Sequence, residues 1–201
     1  MQLVIITHDT LFAGEADILN RLFDAGMECL HLRKPAFPAS VSRQLLQQID
    51  KAYHSRVVLH DHFELLREFP VRGVHLNSRN PVCPPDVEAV SRSCHSIACL
   101  RTQQRISGMT LFLSPIFDSI SKKGYTATFT HEELLLAGQN GLINRKVMAL
   151  GGISEATIPR IAAYGFGGVA VLGALWNDRP SAGDSDAVIR RFAQLQSMTG
   201  T

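Results

Sequence analysis

Several short runs of this chain are apolar on both faces, and no other feature restricts its fold as much. Leu3-Val4-Ile5-Ile6 and Val169-Ala170-Val171-Leu172 carry nothing polar at either phase of a two-residue alternation. Neither face of such a strand can be left in water, so both must be covered, as in a parallel sheet clad by helices. The strand candidates are residues 3–7, 29–33, 57–60, 73–76, 110–114, 147–151 and 168–172, with a more polar one at 91–95. Apolar residues at helical spacing fill the intervals. Ile18, Leu19, Leu22 and Phe23 share one face of 15–25, and similar patterns occupy 41–53, 63–69, 86–92, 130–137, 155–164 and 186–196. Gly26, Gly141 and Gly165 follow helical patterns where a left-handed cap is wanted, and Ser154 stands where an N-cap belongs.

Eight strands alternating with helices in 201 residues meet the lower size limit of the α/β (β/α)8 TIM barrel. The rival is a doubly wound open sheet, which would use fewer strands and a glycine-rich first turn. The turn after Thr7 reads His8-Asp9-Thr10-Leu11-Phe12-Ala13-Gly14 and has no such motif. The expectation is therefore a single TIM-barrel domain over 1–201, with no linker. No apolar run approaches the roughly 20 residues that cross a bilayer, which excludes a membrane-spanning helix. The first residues enter a strand pattern without a secretory signal, and Cys29, Cys83, Cys94 and Cys99 form no CxxC pair. A cytoplasmic protein with buried thiols is expected. Twenty basic against 18 acidic residues give no electrostatic case for nucleic acid.

A barrel of this kind places its active site at the C-terminal ends of the strands. Those ends are unusually polar here. His31 and Arg33 end the second candidate, His60-Asp61-His62 the third, His75-Leu76-Asn77 the fourth and Ser93-Cys94-His95 the fifth. One strand-end histidine is usually structural, whereas four in succession point to a pocket. The last two strands end in Gly151-Gly152 and in Leu172-Gly173-Ala174, whose small residues let backbone N–H groups approach a phosphate. Ser119, Ser121, Lys122 and Lys123 on the loop after the sixth strand could bind an anion, with Gly124 allowing that loop to move as a lid. A metal hydrolase built on His60, Asp61 and His62 is a further possibility, weakened by the lack of other strand-end carboxylates.

His31-Leu-Arg33, Val57-Val-Leu-His-Asp61, Gly73-Val-His-Leu76, Ser93-Cys-His95, Ser114-Pro-Ile-Phe117 with Ser119-Ile-Ser-Lys122, Ala149-Leu-Gly-Gly-Ile153 and Gly168-Val-Ala-Val-Leu172 occur in this order. Together they resemble the thiamine-phosphate synthase family, which includes the TenI-like thiazole tautomerases. The resemblance runs from Leu3 to about Trp176. For a synthase it implies Mg2+ and the joining of a pyrimidine diphosphate to a thiazole phosphate. Arg33 then matches the arginine of a Gln-Leu-Arg-x-Lys motif, with His31 and Pro35 replacing the glutamine and lysine. Asp61 matches a magnesium ligand, while His60 replaces the asparagine before it and Asn80 stands nearest the second magnesium aspartate. Ser93 matches a serine of the fifth strand. Ser119, Ser121 and Lys122 match the diphosphate loop, and Gly151, Gly152, Leu172 and Gly173 a thiazole-phosphate cradle in which Gly173 replaces serine.

For a tautomerase the resemblance implies neither metal nor any other cofactor, only a phosphate cradle, a cation and a base. His95 is that base, moving a proton on a carboxythiazole phosphate, with Arg33 on the carboxylate and His31 or His60 assisting. The altered diphosphate half puts the tautomerase first, the synthase second and a non-catalytic sensor of a thiamine-related phosphate third. A phosphorylated thiazole is the expected small-molecule partner, and exposed Phe and Leu on the outer helices would suit a homodimer.

Overall fold

A computed structural model describes every residue except 107, 119–126, 177 and 201. The strands are β1 (Gln2–Ile6), β2 (Leu30–Leu32), β3 (Val57–Leu59), β4 (Gly73–Leu76), β5 (Ala89–Cys94), β6 (Thr110–Leu113), β7 (Val147–Leu150) and β8 (Gly168–Val171). All pair in parallel, in chain order, and β8 closes on β1 with Gln2 opposite Gly168 and Ile5 opposite Val171. The chain is thus a TIM barrel, the fold expected from its eight alternating strands and helices. Closure is tight at the seam: a Cβ on Gly168 would lie 2.2 Å from the Gln2 carbonyl oxygen.

The two faces of each strand have separate destinations. Ile5, Leu30, Leu32, Leu59, Val74, Leu111 and Val169 point outward into a shell shared with Leu19, Leu22, Leu46 and Phe192 of the helices. Val4, Ile6, Cys29, Val58, Phe112, Met148 and Ala170 point inward and fill the barrel. Each such aliphatic side chain withdrawn from water contributes about 1.5–3 kcal/mol, so the two-sided burial both selects and stabilises the barrel.

The helices are α1 (Glu15–Asp24), α2 (Ala39–Gln48), α3 (Ile97–Ile106), α4 (His131–Gln139), α5 (Ile158–Ala162) and α6 (Ser185–Thr199). Gly26, Gly141 and Gly165 are left-handed after their helices, as expected. The segment 86–92 is not helical. Asp86 is left-handed, and Ala89 and Ser91 pair with Val74 and His75, because closing the barrel uses the backbone that a helix would have consumed. The sequence reading missed α3, whose start is marked by the Ser96 hydroxyl accepting from the Cys99 N–H and whose buried anchor is Leu100. The pattern over 41–53 divides into α2 and a 3-10 turn, Lys51–Arg56, and that over 63–69 is the 3-10 turn Phe63–Arg67.

Ser154 caps no helix. α5 begins at Ile158, and Thr157 Oγ1 instead accepts from the Ser154 N–H and donates to the Gly152 carbonyl at 3.0 Å. Among the described residues no helix is long and apolar enough to cross a membrane. All four cysteines are unpaired, Cys29 and Cys94 being buried. Among the described residues the exposed large apolar side chains are Leu11, Val82, Leu136 on α4 and Met198, with no phenylalanine among them.

Candidate active site

A cavity of about 480 Å3 opens at the C-terminal end of the barrel. Arg33 after β2, His60 after β3, Ser93 of β5 and His95 after it, Ser114 and Pro115 after β6, Gly151 and Gly152 after β7, and Leu172 and Gly173 after β8 all line it. One wall was therefore legible residue by residue. Ser119, Ser121 and Lys122 lie outside the described residues, as does the rest of the expected lid.

The glycine end is dictated by backbone. Gly151 has φ +97° and Gly152 φ +65°, and the loop after β6 packs against the side of each where a Cβ would stand. A Cβ on Gly151 would sit 2.8 Å from Pro115 Cα, and one on Gly152 2.4 Å from the Asp118 carbonyl oxygen. Phe117 N–H donates to the Gly151 carbonyl at 3.0 Å, which fixes that loop against the turn. Only glycine meets both the torsion and the contact. The outcome is a stretch of bare backbone in the cavity wall.

Four strand-end histidines that look alike in sequence fall at different depths. His95 faces the cavity with Nδ1 3.1 Å from the Ser114 carbonyl oxygen and 3.2 Å from its hydroxyl. A carbonyl can only accept, so Nδ1 carries the hydrogen and Nε2 is the basic nitrogen. His60 reaches the cavity from below. Its Nε2 is 2.8 Å from His31 Nδ1, one hydrogen serving both, and its ring stacks on His75 at 4.1 Å. His75 is held between the hydroxyls of Ser91, at 2.9 Å, and Ser93, at 2.8 Å. His31 is not on the cavity wall; it borders a small space of about 40 Å3 toward the N-terminal ends of the strands, with Val58, Ser91 and Phe112. That removes it from direct contact with a substrate.

Burial holds all three lower histidines neutral. His31 is pushed down to about 3 by desolvation and then by Arg72, and His60 and His75 fall well below the ordinary imidazole range by desolvation first, then by the neighbouring imidazoles and arginines. Their nitrogens lie within 4.8 Å of one another. Stacking of His60 on His75 within 13° sets their in-plane lone pairs side by side, and the nitrogens of His75 are already bonded to serines, which is not the geometry of a metal site. The hydrolase pattern fails as well, because left-handed His62 turns aside and its Nε2 lies 2.8 Å from the Phe37 carbonyl.

The magnesium position reads differently. Asp61 Oδ1 accepts from Arg79 Nη2 at 3.1 Å, Arg79 Nε at 3.3 Å and Asn80 Nδ2 at 3.2 Å. Its buried Oδ2 has no hydrogen-bond partner. With Oδ1 shared by a guanidinium and an amide and Oδ2 buried, this single carboxylate offers a metal no open oxygen, and the residues do not fit Mg2+. Lys34 does not make good the lysine lost at Pro35. It is buried in the opposite direction, with Nζ 2.7 Å from both Glu15 oxygens and bonded to the His8 and Thr10 carbonyls. Burial raises Glu15 to about 7 even beside that ammonium.

Sequence reasoning missed Arg79, which lines the cavity with Asn77 and Ser78. Its signal was present: a basic residue beside Asn80, four residues beyond His75 at a strand end.

Residues 3–175 match the family described as thiamine monophosphate synthase. A thiamine-phosphate synthase of Bacteroides fragilis is 26% identical over 187 residues, covering 87% of this chain and 92% of that protein. The crystal structure of a thiamine phosphate pyrophosphorylase from Bacteroides thetaiotaomicron is 42% identical, with a TM-score of 0.87 over 98% of this chain and 97% of the other. A thiamine phosphate pyrophosphorylase from Pyrococcus furiosus, 18% identical with a TM-score of 0.71, shares the fold. These names agree with the synthase alternative of the sequence reading rather than with the tautomerase it placed first. With the barrel, its cavity and a family match over most of its length in hand, the chain belongs to the thiamine-phosphate synthase family of thiamine biosynthesis.

Proposed function

We propose that this protein joins a pyrimidine diphosphate to a thiazole phosphate, the activity after which its relatives are named. The observation that carries the reading is a cavity with two anion-receiving ends. Gly151, Gly152 and Gly173 line it beside β7 and β8, while Arg33 and Arg79 line it beside β2 and β4. In a barrel closed in chain order, β3 and β4 lie across from β7 and β8, so two phosphorylated molecules can face each other over the centre. The reaction breaks the bond between the pyrimidine methylene carbon and the diphosphate oxygen. The thiazole nitrogen supplies the electron pair for the new C–N bond, and the diphosphate leaves with the electrons of the old one. The glycine end would hold the thiazole phosphate, Arg33 and Arg79 would neutralise the departing anion, and Ser93 would orient the group between them.

Purified protein given both substrates should release diphosphate and thiamine phosphate in equal amounts. Binding of the thiazole phosphate without turnover would overturn the coupling reading.

A second reading, the thiazole tautomerase, has its own support in His95. Its Nδ1–H is oriented by Ser114, which leaves Nε2 facing the cavity as a base, and proton transfer on a carboxythiazole phosphate would use the same cradle. Aromatisation of the thiazole tautomer, lost in His95→Ala, would favour it.

A further inference from the structure

Asp61, Arg79 and Asn80 form a hydrogen-bonded unit at the β3–β4 side of the cavity. Arg79 is the exposed member, its side chain 42% accessible against 10% for Asp61. It lines the cavity while Asp61 engages its Nε and Nη2 from behind. Asn77 and Asn80 both donate to the His60 carbonyl, and Asn77 Oδ1 accepts from the Arg79 N–H at 3.0 Å, so the loop presenting the guanidinium is tied to the end of β3. A guanidinium carries five N–H donors in a rigid plane, and two of its nitrogens are used in holding it to the carboxylate. The remaining edge has the shape that takes two phosphate oxygens at once.

We infer that Arg79, clamped by Asp61, is the fixed cation for a diphosphate group at this end of the cavity and stands in place of a divalent metal. This deepens the coupling reading and rests on it, since it supposes a diphosphate opposite the glycine end. A metal at Asp61 would meet the guanidinium and the Asn80 amide on Oδ1 and find Oδ2 buried, so no carboxylate oxygen is open to it. The arginine already supplies permanent positive charge and directional donors, so the chain needs no metal to receive the anion.

The test is calorimetric titration of the whole protein with inorganic pyrophosphate, in EDTA and in excess Mg2+, alongside a titration with thiazole phosphate. Wild type should bind pyrophosphate in EDTA. Arg79→Gln should weaken that binding roughly tenfold or more, and Arg79→Lys, which keeps the charge and loses the fork, by less. The double variant Arg79→Gln/Asn80→Asp should acquire a Mn2+ site, visible by electron paramagnetic resonance, where wild type gives none. Pyrophosphate binding by wild type only when Mg2+ is present, or an Arg79→Gln protein that binds pyrophosphate as wild type does in EDTA, would overturn the inference. Thiazole phosphate bound in that same experiment would leave the coupling reading standing. Failure of both ligands to bind in either buffer would sink that reading and the inference together.

Discussion

The two ends of the cavity are built from different materials. The glycine end is backbone geometry: Gly151 and Gly152 are fixed by positive φ and by the loop after β6, and a Cβ at either collides. The arginine end is side-chain charge, with Arg33 and Arg79 over an aspartate and a floor of three neutral histidines. A backbone site tolerates no substitution and brings no titrating side chain of its own. A side-chain site can be re-equipped by a few replacements, and it carries the titrations of its neighbours. The resemblance to the family follows that division in part: the glycine end departs only where Gly173 replaces serine, and the charged end departs at His31, Pro35, His60 and Asn80.

Acid should separate the ends most sharply. His31, His60 and His75 have folded pKa values below the unfolded one, so the unfolded chain binds more protons below pH 6.5. Their contribution is fully present above 6.5 and is lost as pH falls toward the folded values, at up to about 4 kcal/mol per pH unit for three groups. Urea unfolding followed between pH 7 and pH 5 measures it, and His31→Phe should remove about a third of the slope. An unchanged slope would mean that the histidine floor is not neutral in the fold.

Breaking the glycine end should cost about 3 kcal/mol or more of stability, since Gly152→Val adds both a disallowed torsion and a clash with Asp118. Thermal unfolding reads the loss. Thiazole-phosphate affinity should disappear with it, while pyrophosphate affinity in whatever protein remains folded should persist. Loss of both affinities together would show that the ends are not independent.

The buried pair beneath the arginine end offers a smaller effect of the same order. Lys34→Met leaves Glu15 buried without its ammonium and the His8 and Thr10 carbonyls without a donor. A loss of about 3 kcal/mol at pH 8 is expected. It should shrink at pH 5, where the Glu15 carboxyl, already raised to about 7, takes up a proton. Equal losses at the two pH values would place the cost in packing alone. Least of all, Arg33→Ala should weaken pyrophosphate about tenfold by calorimetry and leave the Gly151 turn intact.

Much of the fold was readable in the chain. Several of the eight strands follow from runs that are apolar on both faces, the fifth being more polar, and α1 from the single face of Ile18, Leu19, Leu22 and Phe23. The helix read into 86–92 failed because Val87 and Val90 sit at helical spacing in a segment whose hydrogen bonds go to β4 and β6. α3 was overlooked because its long polar stretch, Arg101-Thr102-Gln103-Gln104-Arg105, hides Leu100, the buried residue that anchors it.

In the site, the two-residue period of a strand told which side chains turn toward the barrel axis. Arg33, Ser93 and His95 were found that way, and Gly151, Gly152, Leu172 and Gly173 by the backbone approach that small strand-end residues allow. The period says nothing of height along the axis. The tilt and stagger of a closed barrel set that, so only the tertiary structure raised His95 to the cavity and sank His31 into the interior. Only the folded β4–β5 loop brought Arg79 onto Asp61, across 18 positions of chain. Local alternation and backbone torsion are written residue by residue, and they determined the barrel and its glycine end. Contacts between strands depend on register and loop path, and those decided the charges at the other end.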